Sequence, residues 1–394
     1  MGIGKIDNLR DVRERLLGYR LGSVARLTGI SPERLGAIES GKDSPTVFEA
    51  EELSRVYGID ADLLASRPLR LAPKDVVEVF ASLDEFRVVG DVQKALIIEA
   101  TNAARDLREL ELIAGVQPDA QGVPAIHFHC SDPPYRQGGE IAAALRQKLA
   151  LTTGPIASLR DMFRDHFHKL TLLYAELGRD GPAGVALADR RRPPTIILNL
   201  DGKNENPCVR RFSLAHELCH LVTDWKRGEP LGILSGYYSE TALDRERRAN
   251  AFAVRFLCPE ADLTELPSDP MDAAKALMLT YGMHYSAARL YLHNEKKDNS
   301  LPSLAPASLT LFAAADRKWE EAEAPHGIFD FPIPKVPTER RTRVAALAAY
   351  LYSEGRIARD KFAEMLRLTP ADEVEKVLDF FDLSQPGDGL IEAL

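Results

Sequence analysis

The 394-residue sequence predicts a multidomain, mainly helical protein with one small β-sheet in its central part. Two observations support this fold class: apolar residues recur at helical spacing through most of the chain, and three short β-rich runs bounded by Gly and Pro precede residue 201. The length suits two or three domains. We predict a helix-turn-helix domain (residues 1–68), a helical connector and linker (69–136), an α+β domain (137–300), and a proline-rich linker with a small helical C-terminal domain (301–394).

The N-terminal segment has the pattern of two helices joined by a tight turn. Gly29 ends the first helix, Ser31 is a good N-cap for the second, and Pro32 takes its first position. Leu35 and Ile38 give the second helix an apolar side. Such a unit places its second helix in the major groove of DNA.

The exposed side of this second helix supplies the predicted DNA contacts. They are Ser31, Glu33, Arg34 and Ala37 at the base edges, with Ser40 and Lys42 near the backbone. Arg34 is the only long cationic donor of the first four and could bind a guanine, although an unpaired surface arginine is equally ordinary. Residues 9–44 hold seven Arg or Lys against five Asp or Glu. This weak charge favours modest affinity per copy, dimeric binding, or a docking role without DNA.

Residues 9–66 resemble the XRE (Cro-type) family of DNA-binding domains. The run from Ile38 to Lys42, followed by Ser44, Pro45 and Thr46, matches that family's I-E-x-G-(K/R)-x-x-P. The resemblance implies duplex operator DNA as a partner and a possible homodimer on a palindromic site.

The connector and the following segment carry weaker patterns. Residues 72–115 are expected to be helical, and the Pro-, Gly- and Asp-rich stretch from Gln117 to Gly139 is expected to form a linker. That stretch contains His127, His129 and Cys130, which could bind a metal, but the alternation from residue 125 to 129 favours a strand.

The central segment begins with two predicted helices, at residues 140–149 and 155–166. Three apolar, β-rich runs follow at residues 170–174, 184–188 and 195–200, and they predict a small sheet. The run at 195–200 is the candidate edge strand for binding an extended peptide, with a purely structural strand as the alternative.

The most informative motif is an H-E-x-x-H between Phe212 and Val222. His216 and His220 are four residues apart, so on a helix both imidazoles point to one metal ion. Glu217 lies beside that line, free to take a proton from a metal-bound water. The motif is typical of zinc hydrolases, most often peptidases. The alternative is a chance match on a surface helix with two solvated histidines.

A catalytic zinc needs a third protein ligand. A second amphipathic helix is predicted from about residue 240, and Glu246 precedes its apolar stripe by one turn. Glu246 is therefore the predicted ligand, with Asp244 and Glu240 as rivals. Asn250, one turn further, could hydrogen-bond a ligating histidine. A degenerate site that binds metal without turnover remains open.

These motifs resemble the ImmA/IrrE family of metallopeptidases. The matching runs are residues 211–221, residues 246–253 and residues 256–259, with Cys219 replacing a usual glycine and Cys258 a usual methionine. The resemblance covers about residues 137–295 and implies a zincin-like, gluzincin-type α+β fold. It also implies Zn²⁺ bound by His216, His220 and Glu246, Glu217 as general base, and cleavage of a repressor in a stress or mobile-element response.

Composition and charge exclude some classes of protein. A net charge of −9 excludes a general polyanion binder, and no apolar run has the length of a signal peptide or a membrane span. Four scattered cysteines suit a reducing cytoplasm. Cys219 and Cys258 are expected to be small core residues, with a redox role for Cys219 as the alternative.

Three hypotheses follow for the function. The first is a cytoplasmic, DNA-binding transcriptional regulator whose zinc endopeptidase, active under an inducing condition, cleaves another repressor or the protein itself. The second is a DNA-binding repressor whose metal domain senses or scaffolds without proteolysis. The third is an antitoxin-like partner of a neighbouring gene product.

Overall fold

The computed structural model describes residues 8–65, 76–116, 123–189, 192–236, 243–259, 265–296, 300–302, 313–369 and 371–383. These residues form a mainly helical, multidomain structure with one four-stranded sheet, as the sequence predicts. No helix in the described ranges is long and apolar enough to cross a membrane.

The N-terminal helices have the predicted helix–turn–helix arrangement. Gly29 ends the first helix of the pair with a φ of 71°, and the Ser31 hydroxyl accepts from the backbone N–H of Arg34 at 3.2 Å. The elements are α1 (Leu9–Asp11), a π-helical stretch (Val12–Leu17), α2 (Leu21–Thr28), α3 (Pro32–Glu39), α4 (Val47–Tyr57) and α5 (Ala61–Ala65).

A buried ion pair fixes α3 within this bundle. Arg13 donates to both carboxylate oxygens of Glu39, at 2.7 and 2.9 Å, and the Tyr57 hydroxyl donates to the same carboxylate at 2.8 Å. Because Glu39 is buried, this bidentate pairing offsets its desolvation and sets the orientation of α3.

The predicted connector holds the N-terminal bundle in place. It consists of α6 (Val76–Ser82), α7 (Asp84–Val88) and the 23-residue α8 (Asp91–Ile113). Three side chains of α8 hold the N-terminal bundle: Lys94 donates to the Leu17 carbonyl at 3.0 Å, Asn102 to the Ser54 carbonyl at 3.2 Å, and Arg105 pairs with Asp60 at 2.8 Å.

The sheet contains the three predicted strands and a fourth that the sequence analysis missed. They are β1 (Thr171–Ala175), β2 (Gly184–Ala188), β3 (Thr195–Asn199) and β4 (Leu231–Ser235). The order is β1-β3-β2-β4, with β1 and β3 parallel and the other pairs antiparallel. The prediction of β3 as an edge strand is wrong, because β1 and β2 flank it; β4 is an edge of the described sheet.

The remaining helices of the central part are α9 (Pro134–Lys148), α10 (Leu159–His166), α11 (Pro207–Thr223), α12 (Leu243–Leu257), α13 (Pro270–Tyr281), α14 (Tyr285–Lys296), α15 (Ala313–Glu323) and α16 (His326–Phe329). The two predicted helices at 140–149 and 155–166 are confirmed as α9 and α10. The strand expected at residues 125–129 is absent, since this stretch is irregular although the Ile126 N–H donates to the Val222 carbonyl at 2.9 Å.

The two faces of the sheet belong to different apolar cores. Ala186, Ile196 and Ile233 pack in the core that contains α11 and α12. Val185 and Ile197, which point to the opposite face, pack in the core of the N-terminal helices. The helix-turn-helix bundle therefore shares a core with the back of the sheet.

A helical C-terminal part is confirmed. It contains a 3₁₀ turn (Thr338–Arg340), α17 (Arg343–Ser353), α18 (Arg359–Met365) and α19 (Glu375–Phe380), and its core includes Leu107 and Leu110 of α8. Within the predicted proline-rich linker, α15 packs on α11: the Arg211 guanidinium lies 4.0 Å from the ring of Trp319 and pairs with Glu323. The domain boundaries themselves stay a prediction.

Candidate metal centre and nucleic-acid interface

Helix α11 carries the H-E-x-x-H motif through the protein interior. The side chain of Asn206 caps the helix by accepting from the backbone N–H groups of Cys208 and Val209, at 3.0 and 3.2 Å, and Pro207 occupies the first helical position. The apolar residues around the motif are buried, which places the two histidines between the sheet and α12.

His216, His220 and Glu246 converge in the interior. The Nε2 atoms of the two histidines lie 3.1 Å apart, and the Glu246 carboxylate lies 3.1 Å from His216 Nε2 and 3.6 Å from His220 Nε2. The three residues are 5%, 0% and 1% exposed. Of the predicted alternatives, Asp244 is 80% exposed beside Arg247, and Glu240 lies outside the described residues.

The hydrogen bonds on the far side of each imidazole test whether this set fits a metal ion. His216 Nδ1 donates to Asn250 Oδ1 at 3.0 Å, and His220 Nδ1 donates to Asp224 Oδ2 at 2.8 Å. Both Nε2 atoms then face each other and the Glu246 carboxylate, an arrangement that a shared metal ion would stabilise. Two imidazoles and one carboxylate are the ligands of a catalytic zinc site.

Asn250 lies where the sequence analysis predicts it, but Asp224 was missed. Asp224 follows His220 by one helical turn, so the spacing alone could have identified it. Its second oxygen pairs with Arg248 of α12, which ties the end of α11 to the helix that carries Glu246.

Glu217 occupies a fully buried position beside the two histidines. Burial raises the pKa of its carboxyl, and the neighbouring imidazoles of His216 and His220 oppose that shift. A Cβ atom at Gly184, the first residue of β2, would lie 2.6 Å from Glu217 Oε1. The carboxylate therefore needs a glycine at this point of the sheet, and the Ser235 hydroxyl of β4 faces it as well.

Cys219 is a small core residue in the structure. It is fully buried on α11, and burial raises the pKa of its thiol. Cys258 is buried too, and burial likewise raises the pKa of its thiol to about 12. Neither environment favours the thiolate that a redox sensor requires.

The N-terminal face presents most of the predicted DNA contacts to solvent. Ser31, Glu33, Ser40 and Lys42 are exposed, and Ala37 is half-buried. Ser31 caps α3, which fixes the start of the helix.

Arg34 has a structural role that the sequence did not reveal. Its guanidinium donates to both oxygens of Glu49, at 2.7 and 2.8 Å, and to Asp43 at 3.1 Å. These contacts join α3 to the loop and helix that follow. A guanine contact by Arg34 would require them to break.

Two family models match separate parts of the chain. A helix-turn-helix model matches residues 9–64, and a model described as the IrrE N-terminal-like domain matches residues 175–293. The chain thus carries an XRE-type helix-turn-helix and an IrrE/ImmA-like domain in its matched segments. The IrrE-like region spans β2, β3, β4, α11 and α12, and so contains both histidines, Glu217 and Glu246. None of the curated proteins compared with the chain matches it.

Together the two domains make this chain a regulator with a DNA-binding domain and a metallopeptidase-type domain. The N-terminal match ends at residue 64, within the bundle that packs on the back of the sheet. The IrrE-like match ends at residue 293, although α15 also packs against α11.

Proposed function

We propose that this protein is a transcriptional regulator whose zinc-dependent endopeptidase cleaves a repressor or related regulator, either another protein or the chain itself, in a stress or mobile-element response. The observation that carries the proposal is the convergence of His216, His220 and Glu246 beside Glu217. Both imidazoles are oriented by outer hydrogen bonds, as in catalytic zinc sites.

In this proposal His216, His220 and Glu246 hold the zinc ion, which supplies Lewis-acid activation of a water molecule. Asn250 and Asp224 keep the Nδ1–H of each imidazole directed outward. Glu217 accepts the proton of the attacking water and passes it to the leaving amine. Its buried position raises its pKa, which brings the carboxyl closer to the range needed for a group that both accepts and donates.

We place the extended substrate beside β4 and not beside β3. Within the described sheet β4 pairs only with β2, the strand whose Gly184 lies against Glu217. Ser235, at the end of β4, faces the same carboxylate. A peptide added along this edge would pass the proposed base.

A second function is favoured by one observation. Glu217 is 0% exposed, so a protein substrate reaches it only after part of the surrounding structure moves. This closed site also suits a DNA-binding repressor whose metal centre senses or scaffolds without proteolysis.

The metal site is tested by replacing a ligand. We expect the His220→Ala variant to lose the zinc ion of this interior site, because two remaining ligands do not hold a catalytic ion. Metal content per chain would be measured on purified wild type, on this variant and on His168→Ala, which removes an exposed histidine from a loop. Full zinc retention in His220→Ala would contradict the proposed ligand set.

DNA binding is tested by a point variant. Removal of the N-terminal helices would expose the back of the sheet, because both share one core. We expect Lys42→Ala to weaken binding evenly across sequences and to lower the slope of log affinity against log salt by about 1. Lys148→Ala, an exposed lysine on α9, is the control. Equal slopes for both variants would remove Lys42 from the interface.

A further inference from the structure

A second group of metal-ligating side chains lies on the surface, before and on α9. His129, Asp132 and Glu140 offer one imidazole nitrogen and two carboxylate oxygens, all within 4.8 Å of one another. His129 Nδ1 is 3.6 Å from Glu140 Oε2. These residues lie in a different part of the chain from α11 and α12, and the proposed catalytic function assigns them no role.

The backbone that carries this group is held in place. The Asp132 N–H donates to the His129 carbonyl at 3.1 Å, which closes the turn between the two residues. Gln137 donates from its side chain to the carbonyls of Cys130 and Asp132 and fixes the turn against α9. Ligands on an ordered turn and a helix lose less conformational entropy when they bind an ion.

Helix α9 is itself fixed against the interior. A Cβ atom at Gly138 would lie 2.5 Å from the Arg248 carbonyl oxygen, so α9 and α12 are in close contact at this point. Glu140 follows Gly138 by two residues. Its backbone position is therefore set by the packing of α9 on α12, and only its side-chain torsions are adjustable.

The group of His129, Asp132 and Glu140 has two carboxylates and one imidazole. Among the described residues no arginine or lysine pairs with the side chain of Asp132 or Glu140, and His129 is the only charged partner that Glu140 has there. A protonated His129 would neutralise one of the two carboxylates and leave the other without a counter-charge. A divalent cation would balance both.

We propose that His129, Asp132 and Glu140 bind a second divalent transition-metal ion, of the zinc class. An imidazole favours zinc over magnesium or calcium, and two carboxylates are compatible with it. His129 is 82% and Glu140 46% exposed, so water completes the coordination and the ion is held more weakly than in the interior.

This surface site is connected to the interior centre. Gln137, which fixes the turn, accepts from Arg248 at 3.5 Å, and Arg248 pairs with Asp224, the partner of His220. The guanidinium of Arg248 also lies 4.8 Å from the ring of Phe128, next to His129. An ion bound at the turn is therefore linked to Asp224 through Gln137 and Arg248.

The test is the number of Zn²⁺ ions bound per full-length chain, measured by equilibrium titration against a competing chelator. We expect two ions of unequal affinity for the wild type. The double variant His129→Ala/Glu140→Gln should lose only the weaker ion, and His220→Ala only the tighter one. His127→Ala removes an exposed histidine two residues away and should keep both ions.

These outcomes test the surface site independently of the interior metal site. A wild type that binds no ion, a single ion that the double variant keeps, or a double variant that still binds two ions would overturn the surface site. Loss of the weaker ion in His127→Ala as well would assign it to other ligands. If His220→Ala keeps both ions while the double variant loses one, the interior assignment fails and the surface site stands.

Discussion

Replacing Glu217 with glutamine is expected to abolish cleavage of the cognate repressor while metal content and fold are kept. Glutamine has nearly the same shape, so it fits the space that Gly184 leaves, but it cannot accept a proton from water. General acid–base catalysis contributes about 10²–10⁴-fold to such reactions, and we expect a loss of at least that size in turnover. Cleavage by the purified protein and relief of repression in stressed cells would both be measured.

The control is Glu229→Gln, which changes an exposed glutamate beyond α11 and should leave turnover intact. Zinc per chain and melting temperature should match the wild type in both variants. If wild type and Glu217→Gln relieve repression equally, the metal domain acts by binding alone. The non-proteolytic alternative would then replace the enzyme.

Replacing Arg340 with methionine is expected to lower the free energy of unfolding by about 3–5 kcal/mol. Arg340 is fully buried and pairs with Glu99 at 3.1 Å and with Asp106 at 2.8 Å on α8. Burial opposes ionisation of Asp106, yet Arg340 and its neighbours hold the pKa of that carboxyl well below its usual range. Without the guanidinium, Asp106 loses its main counter-charge, and Glu99 keeps its pairing with Arg367 but loses the one with Arg340.

Stability would be measured by denaturant titration, with Arg164→Met as the control. Arg164 pairs with Asp161 at 3.0 Å, but the Arg164 side chain is 64% and the Asp161 side chain 40% exposed, so the loss of this pair should cost about 0–1 kcal/mol. Adding Glu99→Gln to Arg340→Met should restore part of the loss, because it removes one of the two buried carboxylates that Arg340 contacts. Equal stability of Arg340→Met and the control would mean that this cluster does not hold the C-terminal part to α8.

Most of the candidate site could be predicted from the sequence, because its determinants are local. The spacing of His216 and His220 fixes their common face on any helix, and the apolar residues around them indicate burial. Ser31, with Pro32 after it, marks a helix start in the same way. The same spacing argument applies to Asp224, since it follows His220 by four residues.

The sequence did not identify the roles of β3, Arg34 and the connector. Strand order depends on pairing between segments that are distant in the chain. An apolar run has the same residue pattern at the edge and in the centre of a sheet, so the sequence did not show that β3 is central. Arg34 is indistinguishable from a free surface arginine until α4 brings Glu49 to it.

The sequence by itself predicted the helix-turn-helix, the two histidines and the proposed base from periodicity and spacing within single helices, and it left Asp244 and Glu240 open beside Glu246 as the proposed third ligand. Only the tertiary structure decided how those units are joined. It places the N-terminal helices on the back of the sheet and makes α8 a shared support, with Arg105 held by Asp60 and Arg340 by Glu99. Local periodicity indicates that a helix face is apolar or that it carries a charge. It does not indicate which distant segment packs against that face. The packing partner is decided by the exposed apolar area and the unpaired charge of the whole folded chain.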